Sequence, residues 1–180
     1  ELGKLARWHP FIMLLQAAEN YACRHADAIV SILPKVRDHL EAHGMARHKL
    51  HIVPNGADPA EWLVEPPVLL GEAGARLAEL RAAGKFIVGY AGTHGIANSL
   101  DTLLCAAAQL TGERAVFVLV GGGPDKARLR ERANAMGLNN VCFFDPVAKR
   151  QVPALLQCFD VAYIGWPRQP LYRFGISPNK

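Results

Sequence analysis

The chain has 180 residues, a net charge of +4, an apolar half and only 20% charged side chains. That is enough to bury one core or parts of two, and too apolar for a disordered segment. It contains no run of 18 apolar residues, which excludes a membrane-spanning helix, and its scattered Lys and Arg residues form no basic stripe, which argues against a nucleic-acid surface. The basic balance, with a pI near 9.0, suits an anionic ligand or an anionic membrane surface.

From His9 to His25, Phe11, Ile12, Leu14, Leu15, Ala18, Tyr21 and Ala22 recur at helical spacing. Ala28–Leu33 is a short, β-branched apolar run, so a buried strand is expected. Pro34 is expected to open a second helix that runs to about His43 and stops at Gly44. Leu50–Val53 predicts another strand, closed by the turn Pro54-Asn55-Gly56. Residues 63–74 have little periodicity and read as the approach to a linker, followed by a helix near Glu72–Ala83.

A stronger rhythm follows. Strands are expected at Phe86–Ala91, Ala115–Val120, Val141–Phe144 and Val161–Ile164. Helix faces between them are marked by Leu100, Leu103, Leu104, Ala107 and Leu110, then Leu129, Ala133 and Met136, then Val152, Leu155 and Leu156. Strands alternating with helices imply a parallel sheet, and continuously apolar strands imply a sheet covered on both faces. The fold class is therefore α/β, a Rossmann-like parallel sheet flanked by helices.

Cys23, Cys105, Cys142 and Cys158 form no CxxC pair, and each is expected to be a small core residue of a reduced, cytosolic protein. His39 and His43 stand i, i+4 on a helix without the intervening carboxylate of an HExxH pattern, so no metal site is expected. The start, Glu1-Leu2-Gly3-Lys4, has neither a signal-peptide pattern nor an initiator Met, so the chain reads as a piece of a longer one.

Ligands of open parallel sheets bind beyond the carboxyl ends of the strands, which singles out three loops. In Gly92-Thr93-His94-Gly95 the glycines allow close backbone approach, free amides could hold a phosphate oxygen and His94 could donate to it; a tight structural turn is the plain alternative. Gly121-Gly122-Gly123-Pro124-Asp125 suits a pocket lining or a structural elbow equally, with Pro124 pre-set to begin a helix. In Arg173–Lys180, Ser177 followed by Pro178 announces a helix start, and Lys180 adds a charge. None of the three is a GxGxxG fingerprint or a P-loop, and no acidic residue ends the Ala115–Val120 strand, so a nicotinamide dehydrogenase is poorly supported.

Several segments resemble family 4 (group 1) glycosyltransferases: Ala26-Asp27-Ala28-Ile29-Val30-Ser31, Leu50–Asp58 with its Pro54-Asn55-Gly56, Val88–Thr93, Val120–Pro124, Val152–Leu156 leading to Asp160-Val161, and Phe174-Gly175-Ile176-Ser177-Pro178-Asn179-Lys180. The last run is similar to the signature of a subset acting in bacterial surface-polysaccharide assembly. The resemblance implies a GT-B architecture of two Rossmann-like domains. Residues 1–63 would be the end of the acceptor-side domain, 64–84 a linker and connecting helix, and 85–180 the donor-binding domain, truncated at its C-terminal end. Gly92, Thr93, His94, Gly95, Ser177, Asn179 and Lys180 would face the donor diphosphate, and Gly122, Gly123, Pro146 and Val147 the nucleotide and its base. The chain departs from the family in showing no E(x7)E pair, whose first position falls at about Gly175, and no cation between Gly95 and Asp101.

The implied activity is retaining transfer of a hexosyl or N-acetylhexosaminyl group from a UDP- or GDP-sugar to an acceptor hydroxyl, in cell-surface polysaccharide or glycolipid assembly. No cofactor or metal is expected. A lipid-linked or saccharide acceptor, at the cytoplasmic face of the membrane, would be the partner, and the isolated piece is expected to be inactive. Two alternatives stay open: a non-catalytic Rossmann-like binding or regulatory module, and a GT-B sugar-nucleotide epimerase.

Overall fold

The structure is a computed structural model that describes residues 6, 8–56 and 68–176. The chain divides into two compact units, one drawn from Glu1–Ala57 and Arg168–Asn179, the other from Asp58–Pro167.

The first unit opens with α1 (Pro10–His25), which Pro10 starts with its fixed φ and which the His9 side chain caps by accepting from the Phe11 amide at 3.2 Å. Strand β1 (Ile29–Ser31), helix α2 (Arg37–Ala42) and strand β2 (Leu50–Ile52) follow, and β1 pairs with β2 in parallel, Ile29 against Leu50. Cys23, Val36, Met45 and Leu50 form the core, with Phe174 of the turn Pro170–Phe174 packed against it. Helix α2 starts at Arg37, not at Pro34 as expected. The Lys35 amide donates instead to the Phe174 carbonyl at 2.9 Å, and the Leu33 amide to Ser31 Oγ at 3.0 Å, so tertiary and turn bonds replace the first helical turn. Most of the apolar stripe of α1 is uncovered among the described residues: Phe11, Leu14, Leu15 and Tyr21 are exposed.

The second unit is built on four parallel strands in the order β5-β4-β3-β6: β3 (Phe86–Ala91), β4 (Ala115–Val120), β5 (Val141–Phe144) and β6 (Val161–Ala162). Side chains alternate across a strand. Ala115, Phe117 and Leu119 therefore join one core with α4 (Leu100–Gln109) and α5 (Lys126–Ala135). Val116, Val118 and Val120 join the other with α3 (Gly71–Ala82) and α6 (Val152–Gln157). All six β4 residues are buried, as a doubly covered strand requires. Helix α3 also contributes to the core: Ala73, Leu77 and Leu80 are buried against β3 and β4.

Three sequence expectations shift. Strand β6 is two residues long, since its ladder ends with the Tyr163 amide on the Gly89 carbonyl at 2.8 Å and Gly165 and Pro167 follow. Helix α5 begins at Lys126, and Pro124 belongs to the turn before it. Cys105 is exposed on α4, not a core residue, because Leu100, Leu103, Leu104 and Ala107 take the inward stripe; Cys142 and Cys158 are half-buried, and Cys23 is buried.

Candidate functional site

The loops after β3, β4 and β5 meet at the carboxyl edge of the second unit's sheet. Backbone bonds extend the ladder past the strand ends: Gly92 N–H donates to the Val120 carbonyl at 3.0 Å, His94 N–H to Gly122 at 2.8 Å and Asp125 N–H to His94 at 3.0 Å. Two glycines make this seam. Gly121 (φ +151°) would place a Cβ 1.9 Å from the Gly92 carbonyl oxygen, and Gly123 (φ +146°) would place one 2.4 Å from that of His94. Both conformations disfavour an L side chain. At Gly122, by contrast, an added Cβ would meet only Pro146, at 3.4 Å. Gly92–Gly95, Gly122, Gly123, Pro146 and Val147 are thus brought to one edge. Ser177, Asn179 and Lys180 lie outside the described residues.

Among the described residues, the Gly95, Gly122 and Gly123 amides donate to no protein acceptor. The Thr93 carbonyl is clamped by Tyr90 Oη at 2.7 Å and Asn98 Nδ2 at 2.8 Å. Burial pushes the Tyr90 phenol up to about 12, so it stays a neutral donor. The helix expected directly after this loop is set back: the turn Ile96–Asn98 and Ser99 intervene, and Ser99 sits in the left-handed region at φ 48°. Tyr163 Oη donates to the Ser99 carbonyl at 2.9 Å and helps hold it there.

The His94 imidazole lies beside the seam, its Nε2 3.4 Å from where a Cβ on Gly121 would stand. It is fully buried, with neither ring nitrogen hydrogen-bonded, between Tyr90 (ring centroids 5.9 Å apart) and Phe143 (6.0 Å). Burial first, then the Lys126 charge, lowers its pKa to about 4, so the ring is neutral at pH 7.

Sequence reasoning missed Lys126. Its Nζ donates to the Phe144 carbonyl at 2.8 Å and to Asp145 Oδ1 at 2.6 Å, which ties the start of α5 to the end of β5 and holds the Asp145 carboxyl below its ordinary range. It follows the glycine loop directly, and position was the one signal available. Behind the edge, Asp101 accepts from Arg128 at 2.7 and 2.9 Å and pairs with Arg132, which joins α4 to α5; the Arg128 bonds are the main cause of its lowered pKa. Two surface hollows, of about 380 and about 160 Å³, lie along β5 and are lined by α3 and α5 residues, away from the glycine loops. No described helix is long and apolar enough to cross a membrane.

The family model Glycosyltransferase Family 4 matches residues 3–61, and Glycosyl transferases group 1 matches residues 76–165. Over 76 residues the chain is 38% identical to WcaI of Escherichia coli (strain K12), a protein named for glycosyl transfer in colanic acid biosynthesis. That stretch is 42% of this chain and 19% of WcaI. Among solved structures it is similar to Anabaena HepE in complex with UDP-glucose (TM-score 0.66, 21% identity, 86% of this chain and 42% of HepE). It is also similar to WaaG, a glycosyltransferase involved in lipopolysaccharide biosynthesis (TM-score 0.67, 17% identity, 92% of this chain and 46% of WaaG). The chain therefore spans less than half the length of these proteins. The shared fold is that of GT-B glycosyltransferases, parallel sheets flanked by helices.

Proposed function

The chain belongs to the group 1 glycosyl transferases, and on that premise we propose that its second unit binds the diphosphate of a nucleoside-diphosphate sugar. The observation that carries the reading is the seam of Gly121 to Gly123 against Gly92 to Gly95, which leaves the Gly95, Gly122 and Gly123 amides without a protein acceptor at the carboxyl edge of the sheet. Residues 1–63 serve the acceptor side, 64–84 connect, and 85–180 hold the donor. On the resemblance alone, Ser177, Asn179 and Lys180 are assigned to the donor diphosphate, and Gly122, Gly123, Pro146 and Val147 to the nucleotide. The two family matches, ending at 61 and beginning at 76, support a boundary between the two parts in that interval.

The bond that breaks joins the sugar's anomeric carbon to a diphosphate oxygen, which leaves with both electrons; the acceptor oxygen forms the new bond and its proton passes to the departing diphosphate. The amides of the two loops stabilise charge that grows on the leaving diphosphate, the role that pre-aligned donors fill best. His94 acts here through its backbone, whose N–H and C=O lock the β3 loop onto the β4 loop. The reaction retains the anomeric configuration and moves a hexosyl or N-acetylhexosaminyl group from a UDP- or GDP-sugar, in surface-polysaccharide assembly at the inner face of a membrane. The names of WcaI and WaaG and the run from Ile176 to Lys180 support the place in surface-polysaccharide assembly, and the UDP-glucose held by HepE supports a sugar-nucleotide donor.

Calorimetric titration of the chain with UDP, GDP, ADP and NAD tests the reading. Saturable binding of UDP or GDP, at least about tenfold tighter than NAD, is expected. Equal or absent binding by all four would refute it.

A further inference from the structure

The first unit holds a second constellation, unrelated to the glycine loops. Gln16, Glu19 and Asn20 stand at i, i+3 and i+4 on α1 and share one face. His39 and His43 share one face of α2 at i, i+4. The structure turns these faces toward each other: a carboxylate oxygen of Glu19 and one ring nitrogen from each histidine all lie within 4.8 Å of one another. His39 Nε2 is 3.3 Å from Glu19 Oε1, and His43 Nδ1 is 2.8 Å from Asn20 Oδ1. The carboxylate missing from the α2 sequence pattern thus arrives from α1.

The geometry points to a divalent transition-metal site, for Zn²⁺ by its ligand chemistry, built from Glu19, His39 and His43 and linking α1 to α2. Zinc bonds of about 2.0–2.2 Å in a tetrahedron put ligand atoms roughly 3.3 Å apart, the separation already present between His39 and Glu19. Two imidazoles and one carboxylate suit Zn²⁺; Mg²⁺ and Ca²⁺ take oxygen ligands instead. Gln16 Nε2 donates to Asn20 Oδ1 at 3.2 Å and lies 3.2 Å from His43 Nδ1, which itself stands 2.8 Å from Asn20 Oδ1, so both α1 side chains flank the ring. The supporting groups are in place: Gln16 Nε2 also donates to Glu19 Oε2 at 2.9 Å, and the Phe174 ring stands 4.9 Å from that of His39 and fixes its tilt. Helix α2 is six residues long, too short to persist alone, and a metal bond to α1 would anchor it.

The test is equilibrium dialysis of the EDTA-stripped chain against Zn²⁺. One equivalent bound at micromolar affinity or better is expected. His39→Ala and His43→Ala should each weaken it by at least about tenfold, Glu19→Gln should weaken it less, and the exposed control His48→Ala should leave it unchanged. Diethylpyrocarbonate labelling of the unaltered chain, read by mass spectrometry, does not depend on any variant folding: Zn²⁺ should shield His39 and His43 and leave His48 reactive. No stoichiometric uptake, uptake that survives both histidine substitutions, or shielding of other histidines would overturn the site.

Discussion

Gly121 and Gly122 are neighbours whose replacement by Ala should have opposite consequences. A Cβ at Gly121 would stand 1.9 Å from the Gly92 carbonyl oxygen, where real Cβ atoms stay beyond about 3.0 Å, so that backbone must retreat by about 1 Å. The retreat strains the bond from Gly92 N–H to Val120 and the bond from His94 N–H to Gly122. Their loss, with the left-handed φ, amounts to roughly 3–5 kcal/mol, a fall of about 10–20 °C in the melting temperature of a domain of this size. Gly122→Ala meets only Pro146 at ordinary contact distance and should melt within a few degrees of wild type. Its methyl would fill the space between Gly122 and Pro146 that the nucleotide reading assigns to the ligand, and should weaken nucleoside-diphosphate binding by about tenfold. Thermal melts monitored by circular dichroism, with calorimetry on the folded variants, read both effects. A folded Gly122→Ala that binds as tightly as wild type would refute the assignment of that seam. A Gly121→Ala as stable as wild type would refute the clash.

Three further outcomes follow from the packing. His94 titrates normally when unfolded and near pH 4 when folded, so its contribution of about 3 kcal/mol is present above pH 6.5 and lost as pH falls toward 4. His94→Leu should flatten the melting-temperature profile across that window, and an unchanged profile would contradict the buried, neutral ring. Asp101, held below its ordinary range by Arg128 and Arg132, stabilises above the usual carboxylate range and loses that effect as acid protonates it. Asp101→Asn should lower the melting temperature by roughly 1–4 °C at pH 7, the scale of a partly exposed pair, and by progressively less as the pH falls below the usual carboxylate range. Asn140, buried, donates to the Ala107 and Leu110 carbonyls at 2.9 and 3.3 Å at the end of α4. Asn140→Ala should cost about 1–3 kcal/mol in urea denaturation.

The sheet of the second unit was legible because its strands are apolar without interruption. Ala115–Val120 could only be a strand covered on both faces, and α3 and α6 supply the second cover. The glycine loops were legible as loops, but their interlocking was not. That depends on the Gly121 and Gly123 backbones meeting Gly92 and His94, contacts between segments nearly 30 residues apart in sequence. The burial of His94 was hidden for a related reason: strand periodicity stops at Ala91, and Tyr90 and Phe143 close over a ring whose own loop carries no apolar signal. Helix propensity misplaced the start of α2, since the Lys35 amide is claimed by Phe174, far along the chain. The Glu19–His39–His43 cluster was invisible for the same cause: i, i+4 spacing reveals one helix face and says nothing of the helix opposite.

The central claim is that the free amides of the two glycine loops receive a diphosphate, and an amide-resolved NMR titration of the chain with UDP and GDP tests it most directly. The largest shifts are predicted at Gly95, Gly122 and Gly123, with Val147 following as the nucleotide docks. Shifts confined to the hollows along β5, around Arg76 and Cys142 or Asn134 and Leu138, would contradict it.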